Sequence, residues 1–252
     1  MKKNKVNIKG GNRNLGAQLD MPDNEQPLVY GLFAHCFTCT KDLKSINNIN
    51  KALTDRRIAI LRFDFTGLGE SSGDFGNSNI STNIDDLILA CKFLDKNYDS
   101  PKLLIGHSLG GAAVIQAASL IKSVRAVATI GTPFYPEHLG NILKMTQKDI
   151  IDSGRAEVMI AGRKFEIGKK FYDDLEEESM KKKIQELNKA LCILHSPYDE
   201  IVGIEHAAKI FRLARHPKSF ISLDKADHLL MNPHDSLYAG GVIAEWASKY
   251  IL

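Results

Sequence analysis

Gly106-His107-Ser108-Leu109-Gly110 sets a serine between two glycines at the junction of two unlike segments. The apolar run Lys102-Leu103-Leu104-Ile105 enters it, and the small-residue run Gly111-Ala112-Ala113-Val114-Ile115-Gln116-Ala117-Ala118 leaves it. That order predicts a buried strand, a sharp turn and a helix, the context in which G-x-S-x-G presents a nucleophilic serine. A turn so tight strains the serine backbone, and packed flanking elements must hold it. Glycine at 106 and 110 removes the Cβ atoms that would collide where strand and helix meet. The first N–H groups of the following helix are aimed at whatever forms on Ser108. A glycine-rich turn with an incidental serine is the bland alternative, and the flanking segments argue against it.

Working outward, Val6–Lys9 and Leu15–Asp20 read as strands joined by the turn Gly10-Gly11-Asn12-Arg13-Asn14. Leu28–Phe33 and Arg57–Phe63 read as buried strands, with a helix near Asp42–Leu53 between them. A turn-rich loop runs over Asp64–Gly73, and Ile84–Leu94 is a helix with Ile84, Leu87, Ile88, Cys91 and Leu94 on one face. Beyond the elbow, Arg125–Ile130, Ala190–Leu194 and Ser219–Leu223 are strands, Ile204–Ala214 is an amphipathic helix and Tyr238–Leu252 a closing one. Buried strands alternating with helices predict an α/β domain over 1–252, its sheet mostly parallel and covered on both faces. Pro133–Asn188 breaks the alternation with a hairpin-like stretch, Ala156–Ile167, and a charged helix around Tyr172–Leu187. We read about 134–188 as a lid inserted over the carboxyl edge of the sheet.

Composition narrows the function. At 252 residues, 44% hydrophobic and 25% charged, the chain has the balance of a globular domain. A net charge of +3 with interspersed signs calls for neither nucleic acid nor an anionic membrane. The basic start, Met1–Ile8, is followed by no apolar stretch, so the expectation is a cytoplasmic enzyme without a secretory signal. Four cysteines do not make a disulfide framework in a chain of this size.

A serine hydroxyl needs a neutral imidazole to take its proton, and the imidazole needs an acid to orient it. Asp199 follows the strand ending at Leu194, and His228 follows the next one, giving the order Ser, Asp, His. Loops at the carboxyl ends of parallel strands share one edge, where sites in such folds lie. Glu200 competes with Asp199 but lies farther from the strand, while Asp224 and Asp227 suit local turns beside His228. His206 falls within a helix, and His216 and His234 adjoin prolines in connections. His107 is expected to pack against the sheet. Two preorganised donors must bind the oxyanion. Position assigns them to the backbone N–H of Leu109 and, in His35-Cys36-Phe37-Thr38, to that of Phe37. No cofactor or metal is called for.

Cys36-Phe37-Thr38-Cys39 offers a second chemistry, since C-x-x-C between a strand and a helix supports thiol–disulfide exchange. That reading leaves Ser108, Asp199 and His228 unexplained; the alternative is two small residues packed around the oxyanion loop. Zinc lacks a second Cys/His pair at ligand spacing. A non-catalytic binding module would call for a broken triad. In the lid segment, Phe134, Tyr135, Leu139, Ile142, Leu143, Met145 and Phe171 fit an apolar acyl or aromatic pocket and equally the lid's own core. Arg163, Lys164, Lys169 and Lys170 could meet an acidic substrate, though a solvated hairpin surface accounts for them as well.

From end to end the chain resembles the α/β-hydrolases, and most the hydrolase portion of proteins that fuse such a domain to an OsmC-like peroxide-reducing domain. Leu32–Asp42, Leu61–Gly69, Leu104–Gly111, His195–Gly203, Ala214–Phe220 and Ala226–Leu230 carry that resemblance. Similarity to feruloyl- and cinnamoyl-type esterases is looser, through Phe37 and Arg62-Phe63-Asp64-Phe65. The resemblance implies a serine hydrolase with Ser108, Asp199 and His228 as its triad, acting on a small-molecule ester or acyl substrate. It does not choose among esterase, thioesterase, lactonase and amidase, which share this machinery. The sequence given ends at Leu252 after the closing helix. The expectation is therefore a stand-alone hydrolase, or one whose OsmC-like partner is a separate chain.

Overall fold

Alternation along each central strand sorts apolar side chains onto two faces of one sheet. In the strand Val29–Ala34, Val29 and Phe33 point to one face, and Tyr30, Leu32 and Ala34 to the other. Ile58 and Ile60 oppose Ala59, Leu61 and Phe63 in the same way along Ile58–Phe63. The computed structural model describes residues 1–36, 39–135, 153–160, 163–169 and 177–252. Its strands are β1 (Lys2–Gly10), β2 (Arg13–Met21), β3 (Val29–Ala34), β4 (Ile58–Phe63), β5 (Leu103–His107), β6 (Ala126–Ile130), β7 (Arg155–Ile160), β8 (Arg163–Gly168), β9 (Ala190–His195) and β10 (Lys218–Ser222). Helices are α1 (Lys44–Thr54), α2 (Ile80–Asn97), α3 (Leu109–Ala118), α4 (Glu177–Gln185), α5 (Ile204–Leu213) and α6 (Pro233–Ile251).

Eight strands form one sheet in the order β1-β2-β4-β3-β5-β6-β9-β10. The β1–β2 and β2–β4 pairs are antiparallel and the rest are parallel, so an antiparallel hairpin extends a parallel core. One core joins the sheet to α2, α3, α4 and α5; the other joins it to α1 and α6. The expected α/β architecture stands. β7 and β8 pair antiparallel from Arg155↔Gly168 to Ile160↔Arg163 as a separate hairpin. Phe165 on β8 stacks edge-on against Phe75 at a ring distance of 5.4 Å. Part of the expected lid, including Leu139, Ile142, Leu143, Met145, Lys170 and Phe171, lies outside the described residues.

Several boundaries differ from the sequence reading. α2 begins at Ile80 rather than Ile84, because the Asn79 side chain accepts a hydrogen bond from the Thr82 N–H and caps the helix. The closing helix α6 begins at Pro233, not Tyr238: Asn232 caps it, and proline suits a first turn whose N–H groups have no helical acceptor. The start of the charged helix is not among these differences: α4 is described over Glu177–Gln185, and the expected residues before it lie outside the described set.

Candidate active site

The elbow has the strained geometry its sequence demands. Ser108 sits between β5 and α3 at φ +53°, a left-handed conformation costly for any residue with a Cβ. Its N–H is pinned to the Ile130 carbonyl at 2.8 Å. A Cβ at Gly106 would strike the Gly110 backbone, and one at Gly110 would strike the carbonyls of Ala34 and His35. β3, β5 and α3 therefore converge where only hydrogen atoms fit.

Asp199 and His228 lie beyond the carboxyl ends of β9 and β10, on the edge that also carries Ser108. His228 Nδ1 donates to Asp199 Oδ2 at 2.7 Å, which leaves Nε2 as the ring's accepting nitrogen. The other carboxylate oxygen accepts the N–H groups of Ile201 and Val202, each at 2.9 Å. Burial alone would raise the Asp199 pKa. The hydrogen bond and charge of His228, with the two backbone donors, outweigh that and hold it below the ordinary range. Gly131, at φ +53° just past β6, runs close beneath this pair; a Cβ there would stand 3.2 Å from Asp199 Oδ2. The sequence reading missed Gly131, whose signal is a glycine directly after a buried strand.

Three further histidines surround the site, each nearly or fully buried. His107 was expected only to pack against the sheet, but its Nε2 donates to the His228 carbonyl at 2.7 Å, tying the elbow to the histidine loop. His195 Nε2 donates to the Val202 carbonyl at 2.8 Å, spanning the Asp199 turn, and stands 3.6 Å from Asp199 Oδ2. His35 Nδ1 donates to the Cys36 carbonyl at 2.8 Å, and its Nε2 accepts the Phe65 N–H at 3.2 Å. Burial lowers all three pKa values, and the neighbouring His228 helps push His107 from 6.5 to about 3. Each folded pKa lies below its unfolded one, so between the two the unfolded chain binds more protons. Stability should therefore fall as pH drops from about 6.5 towards 3. Melting temperatures over this range should show that slope, and His107→Gln, which can keep the donor to residue 228 without titrating, should flatten it.

A buried ionic network lies behind the loop that follows β3. Lys41 Nζ meets Asp64 Oδ2 and Glu70 Oε2, both at 2.9 Å, and the Lys41 N–H donates to Asp64 Oδ1 at 2.7 Å. Burial opposes the Lys41 charge, but Glu70, Asp64 and Asp42 outweigh it and hold the pKa above the ordinary lysine range. Arg62 donates to the Lys41 carbonyl and stands 2.9 Å from Asp20 Oδ2. None of these was singled out from sequence as a site residue; the available signal was a charged Arg62 inside an apolar strand.

The rest of the expected set divides cleanly. Leu109 opens α3, where a first-turn N–H has no helical acceptor, as an oxyanion donor requires. Phe37 lies outside the described residues. Cys36 and Cys39 are joined by a disulfide, which corrects the reading of two merely packed small residues. His206 is buried in α5 and accepts the Phe134 N–H at 3.1 Å; Glu200, Asp224 and Asp227 are exposed. Asp227 accepts the N–H groups of Leu229 and Met231, as a turn former does. Among the described residues no cluster of three or more metal-binding side chains occurs, and no helix is long and apolar enough to cross a membrane.

Comparison with known proteins agrees with this fold. Along its whole length the chain is 44% identical to the esterase domain of a Rhodothermus marinus protein, covering 100% of both chains with a TM-score of 0.82. Est1E of Butyrivibrio proteoclasticus, solved with ferulic acid bound, superposes with a TM-score of 0.82 over 98% of this chain and 99% of its own, at 20% identity, a likeness of fold. Residues 40–152 match the family described as serine aminopeptidase, S33. The chain belongs to the α/β-hydrolases. A 73-residue stretch, 29% of the chain, is 34% identical to human palmitoyl-protein thioesterase ABHD10. This chain spans 22% of that relative's length, and 57% of the length of a second curated relative, YfhR of Salmonella typhimurium.

Proposed function

We propose that the protein is a serine hydrolase that cleaves carboxylic esters of small acyl groups. The observation that carries this is the 2.7 Å His228–Asp199 pair standing on the same sheet edge as a left-handed Ser108. Ser108 Oγ attacks the carbonyl carbon while His228 Nε2 takes its proton. Asp199 orients the ring and stabilises the imidazolium. The Leu109 N–H binds the developing oxyanion, with a second donor assigned by sequence to Phe37. His228 then returns the proton to the leaving alcohol, and the ring activates a water that hydrolyses the acyl-enzyme.

Two features support a small acyl group. The recess walled by Cys36, Phe65, Leu68, Phe75 and Leu109 holds about 10 Å³, room for roughly one water. An open groove of about 380 Å³, lined by His228 with Tyr198, Ile201 and Leu229, has space for a larger leaving group. The similarity to an esterase domain supports ester cleavage and says nothing of acyl size.

A fluorophosphonate probe followed by peptide mapping tests the assignment. Modification should fall on Ser108 alone, and p-nitrophenyl acetate and butyrate should be turned over faster than the octanoate or the matching thioesters and anilides. Modification elsewhere, or none, would remove the nucleophile; a preference for octanoate would remove the small-acyl reading.

A further inference from the structure

The Cys36–Cys39 disulfide takes no part in the hydrolytic scheme, yet it stands at its edge. Cys36 is the second residue after β3 and shares a recess with Leu109 and Gly110 at the start of α3. On one side His35 is held to Phe65 and to the Cys36 carbonyl; on the other, Lys41 is held to Asp64. The bridge thus spans a short stretch between two fixed points. Across that stretch the Cys39 N–H donates to the Cys36 carbonyl at 3.2 Å. In sequence, Phe37, the assigned oxyanion donor, lies between the two cysteines.

Its size argues against a role in holding the fold. A disulfide stabilises chiefly by closing a long loop in the unfolded chain, and this one closes a span of only three residues. The two packed cores already fix the sheet and its helices. A C-x-x-C pair is instead the spacing at which thiols exchange readily. Access is asymmetric: Cys36 is buried and Cys39 is half-buried.

We propose that the Cys36–Cys39 disulfide is a dithiol-exchange site whose redox state sets the rate of hydrolysis at Ser108. The rate-setting half rests on the hydrolase reading; the exchange half does not. A thiolate of a small dithiol or a dithiol protein attacks the more accessible Cys39 Sγ. The S–S bond breaks, its electron pair leaves on Cys36 Sγ, and that thiolate takes up a proton. The second thiol of the reductant then attacks its own sulfur in the mixed disulfide and releases Cys39 as a thiolate, which is protonated in turn. Two electrons and two protons reach the protein, and the reductant leaves as its disulfide. Once the bridge opens, the side chains of residues 36 and 39 are no longer linked, only the main chain and one backbone hydrogen bond hold the two residues together, and the oxyanion side of the site loses its register.

The experiment uses the whole chain, oxidised with diamide or reduced with dithiothreitol, then alkylated at pH 7 and weighed. Cys91 and Cys192 give a quiet background, because burial pushes their thiols up to about 11 and about 12. Only the reduced protein should gain two alkyl groups, mapping to Cys36 and Cys39. Hydrolysis of p-nitrophenyl acetate should fall about tenfold on reduction, in kcat more than in KM, and return on reoxidation. Cys39→Ser should work at the reduced rate and ignore dithiothreitol. Alkylation of both cysteines in the diamide-treated protein overturns the exchange site. Equal rates in the two states overturn the rate-setting half. If Ser108 takes no fluorophosphonate in either state, the hydrolase reading and the rate-setting half fall together, and the alkylation pattern still decides the exchange site.

Discussion

Replacing Ser108 with alanine is expected to lower ester hydrolysis by about four orders of magnitude or more while leaving the fold unchanged. Alanine keeps the Cβ that the elbow already accommodates at φ +53°, so the strain held by β5 and α3 is the same in both proteins. What is lost is the oxygen proposed to form the acyl-enzyme. His228 and Asp199 do not touch residue 108 through the deleted hydroxyl in holding each other, so their 2.7 Å pair should persist. Single-turnover kinetics with p-nitrophenyl acetate, beside a melting curve, check both halves. A variant that retains even a tenth of the parent rate would show that Ser108 is not the nucleophile.

The second large effect concerns stability. Asp64→Ala is expected to destabilise the protein by about 3–5 kcal/mol, because it strips a buried ammonium of its most buried partner. Asp64 is fully buried, and it also accepts the backbone N–H groups of Lys41 and Glu70. For a chain of this length that loss should lower the melting temperature by roughly 10 °C. Adding Lys41→Met to Asp64→Ala should recover only part of it, since the unpaired charge is removed while the Lys41 and Glu70 N–H groups still lack their acceptor. Glu70→Gln, which removes only the half-exposed partner of Lys41, should do far less. If Asp64→Ala melts with the parent, the network contributes nothing to the fold. Because Lys41 ends the stretch that begins at His35, the rate of hydrolysis should fall alongside stability.

How far the sequence could be read depended on the range of the forces involved. β3, β4, β5 and β9 were visible because strands buried on both faces are apolar without interruption, a purely local signature. The elbow was visible because Gly106 and Gly110 answer a steric demand that no other residue meets. Asp199 and His228 were found through their order along the chain and their position just after strands, and the structure then brings them together. The α6 start is written in Asn232-Pro233, a cap followed by proline, a pair that reads equally well as part of a connection. The disulfide was not legible: C-x-x-C reads alike whether its thiols are free or joined, and only the path of the backbone brings the sulfurs together. Lys41 and Asp64 were hidden for a related reason. Charged residues in loops look solvated until the fold closes over them, and the pairing of residue 41 with residue 64 depends on the register of β3 beside β4.

The left-handed backbone at residue 108 also limits which side chains evolution or a designer can place there. Threonine carries the same hydroxyl, but its second branch at Cβ makes a positive φ much costlier, so it is a poor stand-in. Glycine would relax the turn and remove the proposed attacking atom. Cysteine and aspartate match serine in branching, and either could sit at the apex without rebuilding the strand and helix around it. The scaffold can thus change which element attacks, oxygen or sulfur, far more readily than it can change where the attack comes from.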